Sequence, residues 1–252
     1  MENVGQGRAP VIPTVLGGRF VSWAAAITAL AATLALGIGV FTPPHGGVLC
    51  VSDCVEPPYT DVAGIIVAES IWIYPALVMV LGFVALTAGL HEVTPSHRCS
   101  AALAAMAFAV LSAGILVTDY SVHLMAVMPS VAHGEGAAVA LFSMYSPHGL
   151  FIALENAGYF LMGLAFLGIA GAVGGERRRG RAIRWTFLGA GGLLVGALPL
   201  FGIVFGGDLD VRYEVFAISV AYLGLILGGT LLATMGVRTP AHRGLSVAPL
   251  VR

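Results

Sequence analysis

Residues Ile115–Val127 (ILVTDYSVHLMAV), Met128–Gly136 (MPSVAHGEG) and Ser146–Tyr159 (SPHGLFIALENAGY) decide how this chain is read. The first and last belong to apolar runs, and a polar connection joins them. Inside the runs stand two carboxylates, Asp119 and Glu155, each with a histidine, His123 and His148. Ionisable groups are costly in hydrocarbon and mark functional sites where they occur. The stretch therefore predicts membrane-spanning helices and a polar pocket between them.

Composition agrees. Of 252 residues, 58% are hydrophobic and 10% charged, against about 25% charged in soluble domains. A net charge of −1 gives no reason to expect a nucleic-acid partner. All twelve basic residues are arginine, and without lysine a Schiff-base pigment is excluded. Three cysteines are too few for a disulfide framework or an iron–sulfur site.

A helix crossing the bilayer core needs about 20 apolar residues. Six segments qualify, at about 20–41, 62–90, 99–128, 148–174, 185–206 and 214–236. The fold class expected is all-α, a single six-helix transmembrane domain over 20–236. A cytoplasmic segment 1–19 precedes it and a cytoplasmic tail 237–252 follows. Outer loops fall at about 42–61, 129–147 and 207–213. With both termini inside, eleven arginines are cytoplasmic (Arg8, Arg19, Arg98, Arg177, Arg178, Arg179, Arg181, Arg184, Arg238, Arg243 and Arg252) and only Arg212 lies outside. The positive-inside rule fixes that orientation, in a bacterial cytoplasmic membrane. Trp23, Trp72 and Trp185 stand near span ends, as interface residues do. Pro75 and Pro199 should kink or loosen their helices. Gly192 with Gly196, and Gly224 with Gly228, are spaced for close helix packing.

The first outer loop holds Cys50-x-x-x-Cys54. A small-loop disulfide is expected outside the cytoplasm. The alternative is a metal site of Cys50, Cys54 and His45, which lacks a fourth ligand. The run AAVALFSMY in the 129–147 connection is too short to span and should lie in the interface or re-enter it.

Depth links the buried acids. Glu69 follows Asp61 by eight residues, Glu155 follows His148 by seven, and Asp119 precedes Met128 by nine. At the helical rise these are depths of about 10–13 Å from the outer ends. Asp119 and His123 share a face at i, i+4, and His148 and Glu155 share one at i, i+7. One outward-facing pocket is expected between helices two, three and four. Glu69, Tyr74, Asp119, Tyr120, His123, His148, Glu155 and Tyr159 would line it, with His133, Glu135 and Arg212 at its mouth. Each carboxylate left unpaired at a helix centre costs about 2.5–3.5 kcal/mol. They must be protonated, paired, hydrated or bound to a cation.

The segments SPHGLFIALENAGYFLMGLAFL, RAIRW and GGDLDVRYEVFAISVAYL resemble a group of uncharacterised bacterial six-helix integral membrane proteins. The resemblance covers roughly Asp119 to Leu232. It rests on Pro147-His148-Gly149, Glu155-x-x-x-Tyr159 and Arg212-Tyr213-Glu214. It implies an architecture and no activity.

Three functions compete. The pocket binds or moves a small ligand or ion, in a transport, sensing or accessory role. The apolar cytoplasmic helix halves offer no through-path, which favours a receptor or accessory role over a pump. Alternatively, the protein is an intramembrane enzyme acting on a lipid or isoprenoid, with a protonated acid or a metal as catalyst. Zinc or iron would then sit on Asp119, His123, His148 and Glu155. The third possibility is a structural subunit of a membrane complex or oligomer.

Overall fold

The computed structural model describes residues 15–42, 45–57, 59, 61–175 and 177–236. Arg8, Arg238, Arg243, Arg252 and the tail 237–252 lie outside the described residues, with most of the segment 1–19. Among the described residues all regular structure is helical. In chain order it runs α1 (Val15–Gly39), α2 (Ile66–Glu69), α3 (Ile73–Val93), α4 (Cys99–Val122), α5 (Met128–Ala132), α6 (Gly136–Phe142), α7 (Leu150–Ala172), α8 (Arg178–Phe205) and α9 (Asp210–Gly236). Six helical stretches are long and apolar enough to cross a membrane. They are α1, α2 with α3, α4 with its extension into α5, α7, α8 and α9.

These helices go round in chain order. Each packs on the next, and α1 closes on α9. α7 also reaches across to α9, and more of it is enclosed than of any other span. The arginine run 177–184 opens α8 at one end of the bundle; the loop holding Cys50 and Cys54 lies at the other.

Local sequence explains the breaks. Pro75 lacks the N–H that would bond to the Ile71 carbonyl, and its ring would clash there. The second span accordingly breaks at Ser70–Trp72, and Pro75 sits in the first turn of α3, where no kink follows. Pro199 lies inside α8 and removes the bond to Val195. Next to it the Tyr213 hydroxyl donates to the Leu194 carbonyl at 2.8 Å, tying α9 to the loosened turn.

Lipid gives helices little hydrophobic reason to associate, so close contact and aromatic packing hold the bundle. Phe166 meets Phe83 edge-to-face at 5.5 Å and Phe187 at 5.2 Å. Gly191 lies so near α7 that a Cβ would stand 2.7 Å from the Gly163 carbonyl oxygen. Of the two glycine pairs singled out in the sequence, Gly224 and Gly228 pack against Phe166 and Phe187. Gly192 and Gly196 meet nothing within 4 Å. That second pair faces outward, because the α8 face that meets α7 carries Gly191 instead.

The 129–147 connection forms α5 and α6. Val131 and Val139 there join Val62, Ile66, Val127 and Tyr145 in a small apolar cluster above the main core.

Candidate functional site

Glu155, fully buried on α7, is the centre of the polar interior. The Tyr120 hydroxyl of α4 donates to its Oε1 at 2.6 Å. The Tyr120 and Tyr159 phenol oxygens lie 2.8 Å apart, and those of Tyr159 and Tyr222 3.2 Å apart. Each phenol has a single proton. Tyr120 gives its own to Glu155, and Tyr159 gives its own to Tyr222. Three phenols on three helices thus line up behind one carboxyl group. Glu214, in the first turns of α9, stands near Glu155, whose Oε2 has no hydrogen-bond partner among the described residues.

Asp119, 3% exposed, faces Glu155 from α4, and its Oδ2 has no hydrogen-bond partner among the described residues. One turn further, α4 passes into a π-helical turn, His123–Val127, of a kind that often marks functional sites. There the buried His123 Nε2 lies 2.9 Å from Ser70 Oγ. Ser70 gives its single proton to the Ile66 carbonyl, so it accepts from Nε2–H. In the neutral ring Nδ1 is then a bare lone pair, and no side chain or carbonyl meets it among the described residues.

Glu69 belongs to a second, separate junction. Its Oε1 is 2.8 Å from His45 Nε2, and its Oε2 accepts from the Tyr145 hydroxyl at 2.8 Å. His45 Nδ1 donates to the Asp53 carbonyl at 3.0 Å, inside the five-residue loop closed by the Cys50–Cys54 disulfide. Asp53 adopts a positive φ of 54°, which turns that carbonyl to the imidazole. Burial first, and then the hydrogen bond and charge of Glu69, push the Tyr145 phenol well above its ordinary range, so it stays a donor. Gly46 allows the junction to close: a Cβ there would overlap the Tyr145 carbonyl oxygen.

Both networks border one cavity of about 310 Å³. His45, Gly46 and Leu49 roof it from the loop, and Tyr145 and Met144 from the connection before α7. Trp72, Phe151, Leu36 and Ile152 give it apolar walls. From α9 come Val211, Glu214, Val215, Ile218, Ser219 and Tyr222.

The expected pocket between helices two, three and four is corrected on this point. The cavity lies between α1, α9, the start of α7 and the broken top of the second span. α3 scarcely touches α7, whereas α1 closes on α9, a partnership that no spacing within a helix reveals. Asp119, Tyr120, Glu155 and Tyr159 do come together. Glu69 reaches the cavity only through His45 and Tyr145. Tyr74 is 57% exposed on the outside of α3, and His148 stands exposed on its loop. Arg212 bonds to the Asp208 carbonyl at 2.8 Å and lies 4.7 Å over the Phe205 ring, so it secures the α8–α9 corner and does not line the cavity. His133 and Glu135 do not line it either. Trp72 is a wall residue, edge-on to Tyr120 at 5.6 Å, while Trp23 and Trp185 are exposed at the bundle surface. Among the described residues no three His, Cys, Asp or Glu side chains converge on a metal position, so Asp119, His123, His148 and Glu155 do not form one ligand set.

The sequence carried an unread signal for α9. Positions 211, 214, 215, 218, 219 and 222 recur at helical spacing, and all six line the cavity. Ser70 and Tyr145 offered no such pattern.

No family model, no curated protein and no solved structure matches the chain.

Proposed function

We propose that this is a ligand-binding protein of a bacterial cytoplasmic membrane, with the arginine-rich ends of its spans inside and the cavity open to the outer side. It holds a small amphiphilic molecule, with its apolar body against Trp72, Phe151 and Leu36 and its polar end toward Glu214. The observation that carries this is the cavity: about 310 Å³, mostly apolar, with a few polar side chains in its lining. That size and composition are usual for small-molecule sites. Binding is favoured over passage. Toward the arginine side Phe83, Phe166 and Phe187 are fully buried and interlocked, which closes the interior below the tyrosines.

The test uses protein in lipid nanodiscs with Trp23 and Trp185 replaced by phenylalanine, so that emission reports Trp72. Titration with butyrylcholine and with its uncharged carbon isostere, 3,3-dimethylbutyl butyrate, should give a saturable change with at least one of them. The Ile218→Phe variant, which narrows the cavity and adds no second reporter, should weaken it. No saturable change with either probe refutes the proposal.

A further inference from the structure

We infer that the loop roofing this cavity is a latch worked by a proton. The His45–Glu69 pair holds the roof shut while it carries that proton and lets the roof lift when the proton leaves. The inference rests on the cavity being a ligand site and adds how entry to that site is regulated.

His45 stands between two spaces. It lines the apolar cavity of about 310 Å³ and also an outer space of about 540 Å³, whose other walls include Asp53, Glu56, Asp61 and Ile65. No other described residue lines both. A molecule passing from the outer space to the inner one must move this ring. The loop that carries it is stapled to itself, by the Cys50–Cys54 disulfide, by the Val55 N–H on the His45 carbonyl at 2.8 Å and by His45 Nδ1 on the Asp53 carbonyl at 3.0 Å. It can therefore move as one piece. What fastens it to α2 is the 2.8 Å contact of Nε2 with Glu69 Oε1.

That fastening needs a proton. Asp53 offers a carbonyl, which only accepts, so Nδ1 carries a hydrogen. Glu69 uses Oε2 to accept from Tyr145, and its Oε1 faces Nε2. A neutral imidazole has one N–H, and a carboxylate has none. Both contacts of His45 therefore hold only while the pair carries one further proton, as imidazolium with carboxylate or as imidazole with carboxylic acid. Without it, one of the two contacts sets lone pair against lone pair. The His45 and Glu69 side chains are 11% and 13% exposed, so water reaches the freed atoms only when the loop lifts.

The closed roof binds this proton more tightly than the open one, so acid favours closure and base favours opening. The titratable groups around His45 are Glu69 from α2, Asp53, Glu56 and Asp61 from the outer loop, Tyr145 from the connection before α7, and Glu214 from α9 across the cavity. Glu69→Gln separates the proton from the packing. Its amide N–H donates to Nε2 of a neutral ring, its amide oxygen accepts from Tyr145, and Nδ1–H keeps the Asp53 carbonyl. Every bond of the latch then survives without the extra proton.

Trp72 lines the cavity and reports access to it. In nanodiscs, with Trp23 and Trp185 replaced by phenylalanine, acrylamide should shorten the Trp72 lifetime about twofold or more effectively at about pH 9 than at about pH 5. Adding Glu69→Gln should leave quenching weak at both pH values, and adding His45→Ala should make it strong at both. Neither butyrylcholine nor 3,3-dimethylbutyl butyrate titrates, so the association of whichever binds should speed up over the same pH step, and not in Glu69→Gln. Quenching that ignores pH, or a Glu69→Gln protein that follows the pH curve of its parent, overturns the latch whether or not a probe binds. Quenching that rises with pH beside an unchanged association rate overturns the control of entry while the cavity remains a ligand site. Failure of both probes to bind at either pH refutes the ligand site, and quenching alone then decides the latch.

Discussion

The Tyr120 hydroxyl lies 2.6 Å from Glu155 Oε1, joining α4 to α7 through two buried side chains that are 35 residues apart. Neither helix can rotate without breaking that bond in a place water does not reach. Tyr120→Phe should lower stability by about 1–3 kcal/mol, because Glu155 loses a donor and keeps its burial. Thermal unfolding in mild detergent reads the change. The double variant with Glu155→Gln should cost less than the sum of the singles, since the two residues act on one bond. Additive losses would show that the contact contributes little.

Ser70 and His123 make a second buried link, at the break in the second span and the π-helical turn after α4. Ser70→Ala leaves the His123 Nε2–H without an acceptor and should cost about 1–3 kcal/mol. Ser70→Thr keeps the oxygen and should recover most of the loss in the same unfolding assay. If Ala and Thr behave alike, the hydroxyl is not the acceptor that matters.

How much of this was legible beforehand differs by feature. Six spans follow from hydrophobic run length, because the bilayer sets a length that folding cannot negotiate. Asp119, Tyr120, Glu155 and Tyr159 were also legible, since an acid in an apolar run must find polar company. The cavity's place was not. It depends on α1 meeting α9, a contact between the two ends of the domain that neither chain order nor periodicity encodes. His45 and Tyr145 were hidden for a similar reason. Both sit in loops, where side-chain direction depends on turns such as the one at Asp53. Trp72 was misread as an interface residue because its position near a span end says nothing about which way the ring points.

Orientation can be read from the cysteines. Cys50 and Cys54 are bonded in the loop near the cavity, and Cys99 is free and half-buried at the start of α4, at the other end of the bundle. In right-side-out spheroplasts, a membrane-impermeant maleimide should label nothing at Cys50 or Cys54 until an impermeant reductant is added, and both afterwards. Cys99 should stay unlabelled until the membrane is opened. Labelling of Cys99 in intact spheroplasts would reverse the assignment of sides.

Neighbouring glycines on α8 separate packing from propensity. At Gly191 an added methyl would stand 2.7 Å from the Gly163 carbonyl oxygen and about as near the Leu167 side chain as atoms come. At Gly192 it would meet nothing within 4 Å. Alanine is a better helix former than glycine by about 1 kcal/mol. Gly192→Ala should therefore hold or slightly raise the unfolding temperature. Gly191→Ala should lower it, since α7 must move outward and the shift carries Glu155 away from Tyr120. If both substitutions stabilise, α7 and α8 lie farther apart than the contact at Gly163 requires.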